Sequence, residues 1–192
     1  MNVNTRTKKG VTLIELCVIL AIILIVIAVI YPFFISNMKT LYETETRSDL
    51  QKEGQYAIKC FTDKTMEAQK ITELKALDGK VVLSESDNTK LDDSSAYLGE
   101  IEFIAPSIDS TTNSAISYCF MLKDNNLYYK QKPFNNNIKV ADNIQSIEIQ
   151  TIDGKNFSEC KGLNVKFTLR KNQVKSYTIE SQVYFRNNPN NN

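Results

Sequence analysis

The chain has 192 residues, enough for one folded domain plus a membrane segment. It contains no histidine, which excludes Ser-His-Asp and Cys-His catalysis and histidine-ligated zinc. With 23 Lys+Arg against 22 Asp+Glu it lacks the basic excess of a nucleic-acid-binding chain, so nucleic acid is not expected as a partner.

The charge is unevenly placed. The first ten residues hold Arg6, Lys8 and Lys9 and no acid; the remainder carries 20 basic and 22 acidic side chains, a net of −2. The basic stretch sits directly before a strongly apolar one. From Leu16 to Ile35 there are 20 residues without charge. At helical rise they span roughly 30 Å, about the hydrocarbon thickness of a bilayer. Basic residues ahead of such a run predict a cytoplasmic N-terminus and an exported remainder. A secretory signal peptide fits poorly, because its apolar core is about 7–15 residues long and ends in a small-residue cleavage site. Here Tyr31-Pro32-Phe33-Phe34 follows instead. An uncut signal anchor fits the length and flanking charge well.

Glu15 separates the remaining readings. It lies at the start of the apolar run, where a charge costs roughly 2.5–3.5 kcal/mol on insertion scales. An anchor has no use for it, and no cation follows in the run. Scission between Gly10 and Val11 would create an amine four residues before Glu15. In a side-by-side assembly one subunit's Glu15 would then neutralise its neighbour's Val11 amine and fix the axial offset. A glutamate in the first turn also suits the positive end of the helix dipole.

Lys8-Lys9-Gly10 followed by Val11-Thr12-Leu13-Ile14-Glu15-Leu16 resembles the N-terminal signal of type IV prepilins and type II secretion pseudopilins. The resemblance covers about the first 35 residues. It implies that a prepilin peptidase cuts after Gly10 and methylates the new terminus at Val11, a position where the family usually has phenylalanine. It implies that Glu15 acts in assembly and that Pro32 bends the helix. Taken singly, Gly10 could be a linker glycine, Pro32 an ordinary kink and Cys17 a small apolar residue.

Beyond Ile35 the pattern stays helical to about Lys70. Leu50, Gly54, Ala57, Phe61 and Ala68 fall on one face, with Arg47, Asp49, Lys52, Glu53, Lys59 and Asp63 on the other. Gly54 and Pro32 are expected weak points of this helix. From Lys80 the period becomes two, the mark of half-buried strands. Ile101, Phe103 and Ala105 alternate with polar neighbours, as do Ile116, Tyr118, Phe120 and Leu122. A turn at Asp124-Asn125-Asn126 predicts a hairpin returning through Leu127-Tyr128-Tyr129-Lys130. Ile147 and Ile149 precede a turn at Asp153-Gly154. Leu163, Val165, Phe167 and Leu169 form the cleanest strand, and a last one is expected from about Val174 to Phe185.

The expected fold class is therefore α+β: a long N-terminal α-helix, transmembrane then amphipathic, packed on an antiparallel β-sheet head, which the resemblance identifies as the type IV pilin-like fold. The expected organisation is a cleaved leader over 1–10, a membrane and filament-core helix over 11–35, and an amphipathic helix over 36–75. A β-rich head over 76–186 and a disordered tail over 187–192 complete it. The polar connection 83–97 carries Asp87, Asn88, Asp92 and Asp93. Oxygen ligands there are conceivable for calcium, but the spacing matches no EF-hand and a solvated loop is the preferred reading. No metal or cofactor is expected. Export would permit a Cys119–Cys160 disulfide; Cys60 is a rival partner, and free buried cysteines are an equal reading.

Asn125-Asn126-Leu127-Tyr128-Tyr129, the stretch from Val140 to Ile149, and Val183-Tyr184-Phe185-Arg186-Asn187 are similar to J-type minor pseudopilins and PilW-like minor pilins. That likeness implies a non-enzymatic minor subunit at or near a filament tip. Its expected partners are the prepilin peptidase, other pilins or pseudopilins, the inner-membrane assembly platform and membrane lipid. Its expected location is the inner membrane, single-pass with the head extracytoplasmic, then a periplasmic or extracellular filament. The alternatives are a competence pseudopilin or adhesive minor pilin within the family, and outside it an uncut, signal-anchored receptor or binding protein.

Overall fold

The computed structural model describes residues 10–85, 89–90, 94–106, 116–132, 134, 136–172 and 174–188. The chain divides into two units, Met1–Glu45 and Thr46–Asn192. A single helix, α1 (Leu13–Glu67), supplies both. In the first unit its residues are apolar all round and exposed, from Leu13 through Phe34. By length and composition this helix is apolar enough to cross a membrane. It runs without interruption through Pro32, whose ring removes one backbone hydrogen bond but does not end the helix.

In the second unit the helix is amphipathic. Thr46, Leu50, Gly54, Ala57, Ile58, Phe61 and Thr65 are buried at three- and four-residue spacing, while Arg47, Asp49, Lys52, Lys59 and Asp63 face out. The helix stops at Glu67, short of the periodicity limit near residue 70 and of the expected helical segment over 36–75. Lys70–Ala76 is instead the first strand, β1. Its buried residues, Ile71 and Leu74, are three apart, a spacing that reads as helix. A register shift between Ile71 and Glu73 inserts one residue and brings both side chains to the core face.

The remaining strands are β2 (Val81–Ser84), β3 (Thr89–Lys90), β4 (Ser95–Ala105), β5 (Ile116–Lys123), β6 (Asn126–Lys132), β7 (Ile138–Ala141), β8 (Ile144–Thr151), β9 (Gly162–Leu169) and β10 (Tyr177–Tyr184). All pairings among them are antiparallel. One path runs β10-β9-β8-β4-β1-β2-β3, and β5, β6 and β7 branch from β4. The long strand β4 makes the branch. Ser95–Tyr97 pair with β8, and Glu100–Ala105 pair with β5. The α+β class expected from the sequence is thus present, with a branched antiparallel sheet.

One face of the sheet closes on α1. Phe61 lies where the two branches meet: its ring centroid is 5.9 Å from Phe103, 4.9 Å from Phe120 and 5.9 Å from Phe167. Gly54 lets the helix approach β9 and β10. A Cβ there would sit 3.1 Å from Leu169 Cδ1 and 3.2 Å from Tyr177 Cε1. The glycine is a close-packing position, and the helix continues through it without the weakness expected of it.

The end of α1 is held by the end of the chain. The Arg186 backbone N–H donates to the Met66 carbonyl at 3.1 Å, and Asn187 Nδ2 donates to the Glu67 carbonyl at 2.7 Å. Asn188 is buried and its Nδ2 donates to the Cys160 carbonyl. The expected disordered tail is therefore corrected at Asn187 and Asn188, whose carboxamides satisfy carbonyls that a helix end and a loop leave open. Residues 189–192 lie outside the described residues.

Candidate functional site

The residues singled out for processing and assembly lie at the start of α1. Gly10 is exposed, and a Cβ built on it would meet nothing within 4 Å. Val11 is 72% exposed. The scissile bond of the proposed cut is thus in open, non-helical backbone immediately before the first turn. Arg6, Lys8 and Lys9 lie outside the described residues.

Thr12 and Glu15 form a reciprocal pair across the first turn. The Thr12 backbone N–H and its hydroxyl both donate to Glu15 Oε2, at 2.8 and 2.9 Å, and the Glu15 backbone N–H donates to Thr12 Oγ1 at 3.4 Å. The Thr12 carbonyl accepts the first helical bond, from Leu16 N–H at 3.2 Å. This is a capping box, in which an N-cap threonine and a glutamate three residues later each satisfy a backbone donor that the helix leaves unpaired. Glu15 accordingly has a partner inside its own chain. The sequence reading gave Thr12 no role, although threonine and glutamate three apart just before an apolar run is the signature of that motif.

The rest of the first unit offers an apolar surface. Val18, Ile19, Ile22, Ile25, Val29 and Phe33 are all exposed, as is Cys17. Glu15 is the one acid of the first helical turn.

The remaining predicted residues lie elsewhere and do not join this site. Cys119 and Cys160 are both free thiols, so the Cys119–Cys160 bridge is not formed. The reason is strand alternation. Tyr118 and Phe120 enter the core beneath α1, and Cys119 between them points to the other face of β5. There its thiol donates to Glu100 Oε1 at 3.4 Å. Cys160 belongs to the main core, with its thiol on the Phe157 carbonyl. Burial first, then the charges of Glu100 and Glu102, push the Cys119 thiol up to about 12. Burial, followed by Asp153, does the same for Cys160. Cys60, the rival partner, is half-buried against the core on α1, and burial raises its thiol too.

Among the described residues no cluster of three or more His, Cys, Asp or Glu side chains is arranged to hold a metal ion. Asp87, Asn88, Asp92 and Asp93 lie outside the described residues.

Lys75 forms ion pairs with Glu73 and Glu100, each at 2.9 Å, and Lys132 pairs with Glu102 at 2.8 Å. These tie β1, β4 and β6 together across the outer face of the sheet. Lys64 stands over the Tyr118 ring at 4.9 Å, while Tyr118 Oη donates to Glu67 Oε2. These groups pair with one another, and ion pairs this exposed contribute at most about 1 kcal/mol each. Compared with family models, curated proteins and solved structures, the chain matches none of them.

Proposed function

We propose that this chain is a minor pilin-like structural subunit, cut after Gly10 and built through α1 into a type IV pilus or a type II secretion-like pseudopilus, at or near its tip. The observation that carries the proposal is the junction itself. An exposed, uncrowded glycine precedes a helix whose first turn holds a glutamate and whose next twenty-odd residues are apolar on every side. A helix apolar all round, with no protein packed on it, needs lipid or other helices as its surroundings. Release of the Val11 amine would supply Glu15 with a charge partner in a helical array. The mechanism is mechanical: insertion with the head outside, scission, lateral packing of apolar helices, and presentation of the sheet domain on the filament. The prepilin peptidase, sister subunits and the assembly platform are the partners this reading requires.

The capping box favours a second reading. With Glu15 already bonded to Thr12, the residue has a structural purpose in an uncut signal anchor carrying an extracytoplasmic binding domain.

Peptide mass spectrometry on protein from its native membrane separates the two. The expected N-terminus is Val11, methylated or not. An intact Met1 terminus, in cells that process other prepilins, would leave the anchor reading in its place.

A further inference from the structure

We infer that the outer face of β8, β9 and β10 is a binding site for a neutral oligosaccharide. The face is an open groove of about 550 Å³, within the ~300–1,000 Å³ range of small-molecule sites. Strand register builds it in rows. Ser95, Gln150, Asn164 and Gln182 are successive cross-strand partners, and so are Tyr97, Glu148, Lys166 and Glu180. Directly paired residues project to the same face, so each row is a continuous line of side chains.

The chemistry of the rows selects the ligand. The first carries three carboxamides side by side, each offering both donors and an acceptor. Hydroxyl groups of a sugar need the same mixture. Asn164 lines the groove, and its buried Oδ1 accepts no hydrogen bond among the described residues. A buried acceptor left unpaired is unusual in a folded protein and marks where a ligand donor fits.

The second row excludes other ligand classes. Its one cation, Lys166, stands 4.0 Å from Glu148 and 3.5 Å from Glu180. With two carboxylates around one ammonium, the row has a net charge of −1, which repels phosphate, sulfate and nucleic acid. The two carboxylates flank the lysine, and of the residues lining the groove only Val165 has an apolar side chain, which belongs to the core. Tyr97 and Tyr184, both more than half exposed, stand on this same face of β4 and β10. They provide flat apolar rings with polar tips, suited to the faces of sugar rings. The inference concerns the sheet domain alone and holds whether or not the N-terminus is cut.

The test is isothermal titration of the full chain in detergent micelles with cellohexaose, maltohexaose and chitohexaose, and with dextran sulfate as a polyanion. Saturable binding of at least one neutral oligosaccharide is expected. Gln150→Ala with Gln182→Ala, both at exposed side chains, is expected to weaken it about tenfold with the melting temperature unchanged. Gln182→Ala alone provides the reading should the double variant fold poorly. Absence of binding to all three neutral sugars, preference for the polyanion, or undiminished binding by the folded variants would overturn the inference.

Discussion

Glu15 has two candidate roles that single substitutions can pull apart. Alanine removes both the charge and the capping bond; glutamine keeps a side chain that can close the box and removes only the charge. If pairing with a neighbour's Val11 amine sets the register, Glu15→Ala and Glu15→Gln both insert normally and both fail to enter filaments, as read by shearing and immunoblotting. If capping is the whole role, Glu15→Gln assembles like the wild type, and normal assembly of both variants removes the assembly role altogether. The buried thiols make a separate prediction. Cys119 and Cys160 have folded-state values of about 12 against an ordinary 9.0. A raised folded value means the native state keeps a proton that the unfolded chain gives up. Their contribution to stability is complete below the ordinary value and is lost as pH rises from there to about 12. Thermal melting is therefore expected to fall steeply across that window, and less steeply in Cys119→Ala. An equal slope in the variant would show that other groups, such as Tyr118, control the alkaline limb.

At the scale of elements, legibility followed regularity of the backbone. β9 was readable because Leu163, Val165, Phe167 and Leu169 are buried in strict alternation along an unbroken register. The β5–β6 hairpin was readable because Asp124 and Asn125 tolerate the positive φ of 50° and 60° that a two-residue turn demands. β1 was not, since its bulge turns a period of two into a spacing of three. On the helix face Leu50, Gly54, Ala57 and Phe61 were foreseen, while Thr46, Ile58 and Thr65 were not and Ala68 is buried beyond the helix end; the reason for Gly54 was hidden too, because close approach is a property of two elements and only one is written locally. Gly54→Leu should push β9 and β10 away from α1 and cost about 1–3 kcal/mol in denaturant unfolding. Gly54→Ala sets a gain in helix propensity of up to ~1 kcal/mol against contacts of 3.1 and 3.2 Å, and should come out near neutral. A leucine variant as stable as the wild type would mean the helix and sheet are not packed as described.

For the molecule as a whole, the sheet domain depends on a few aromatic contacts between distant stretches. Phe61 touches rings from β4, β5 and β9, so Phe61→Ala should destabilise by about 3–5 kcal/mol, measured by denaturant unfolding followed by tyrosine fluorescence. A loss below about 1 kcal/mol would show that the two branches hold together without it. The candidate site was legible in part: Gly10, Val11 and Glu15 stand out against an apolar run, but Thr12 does not, because a threonine there is unremarkable until its hydroxyl is seen on Glu15. The closing bonds of the domain were hidden for a related reason. Asn187 holds Glu67 across 120 positions of chain, and nothing near either residue announces the other. That long clasp bears on timing. A contact spanning so much of the chain forms late and slows folding. Synthesis must pass Asn187 before the helix end can be fastened, and until then the sheet domain lacks this bond between its first element and its last described residues.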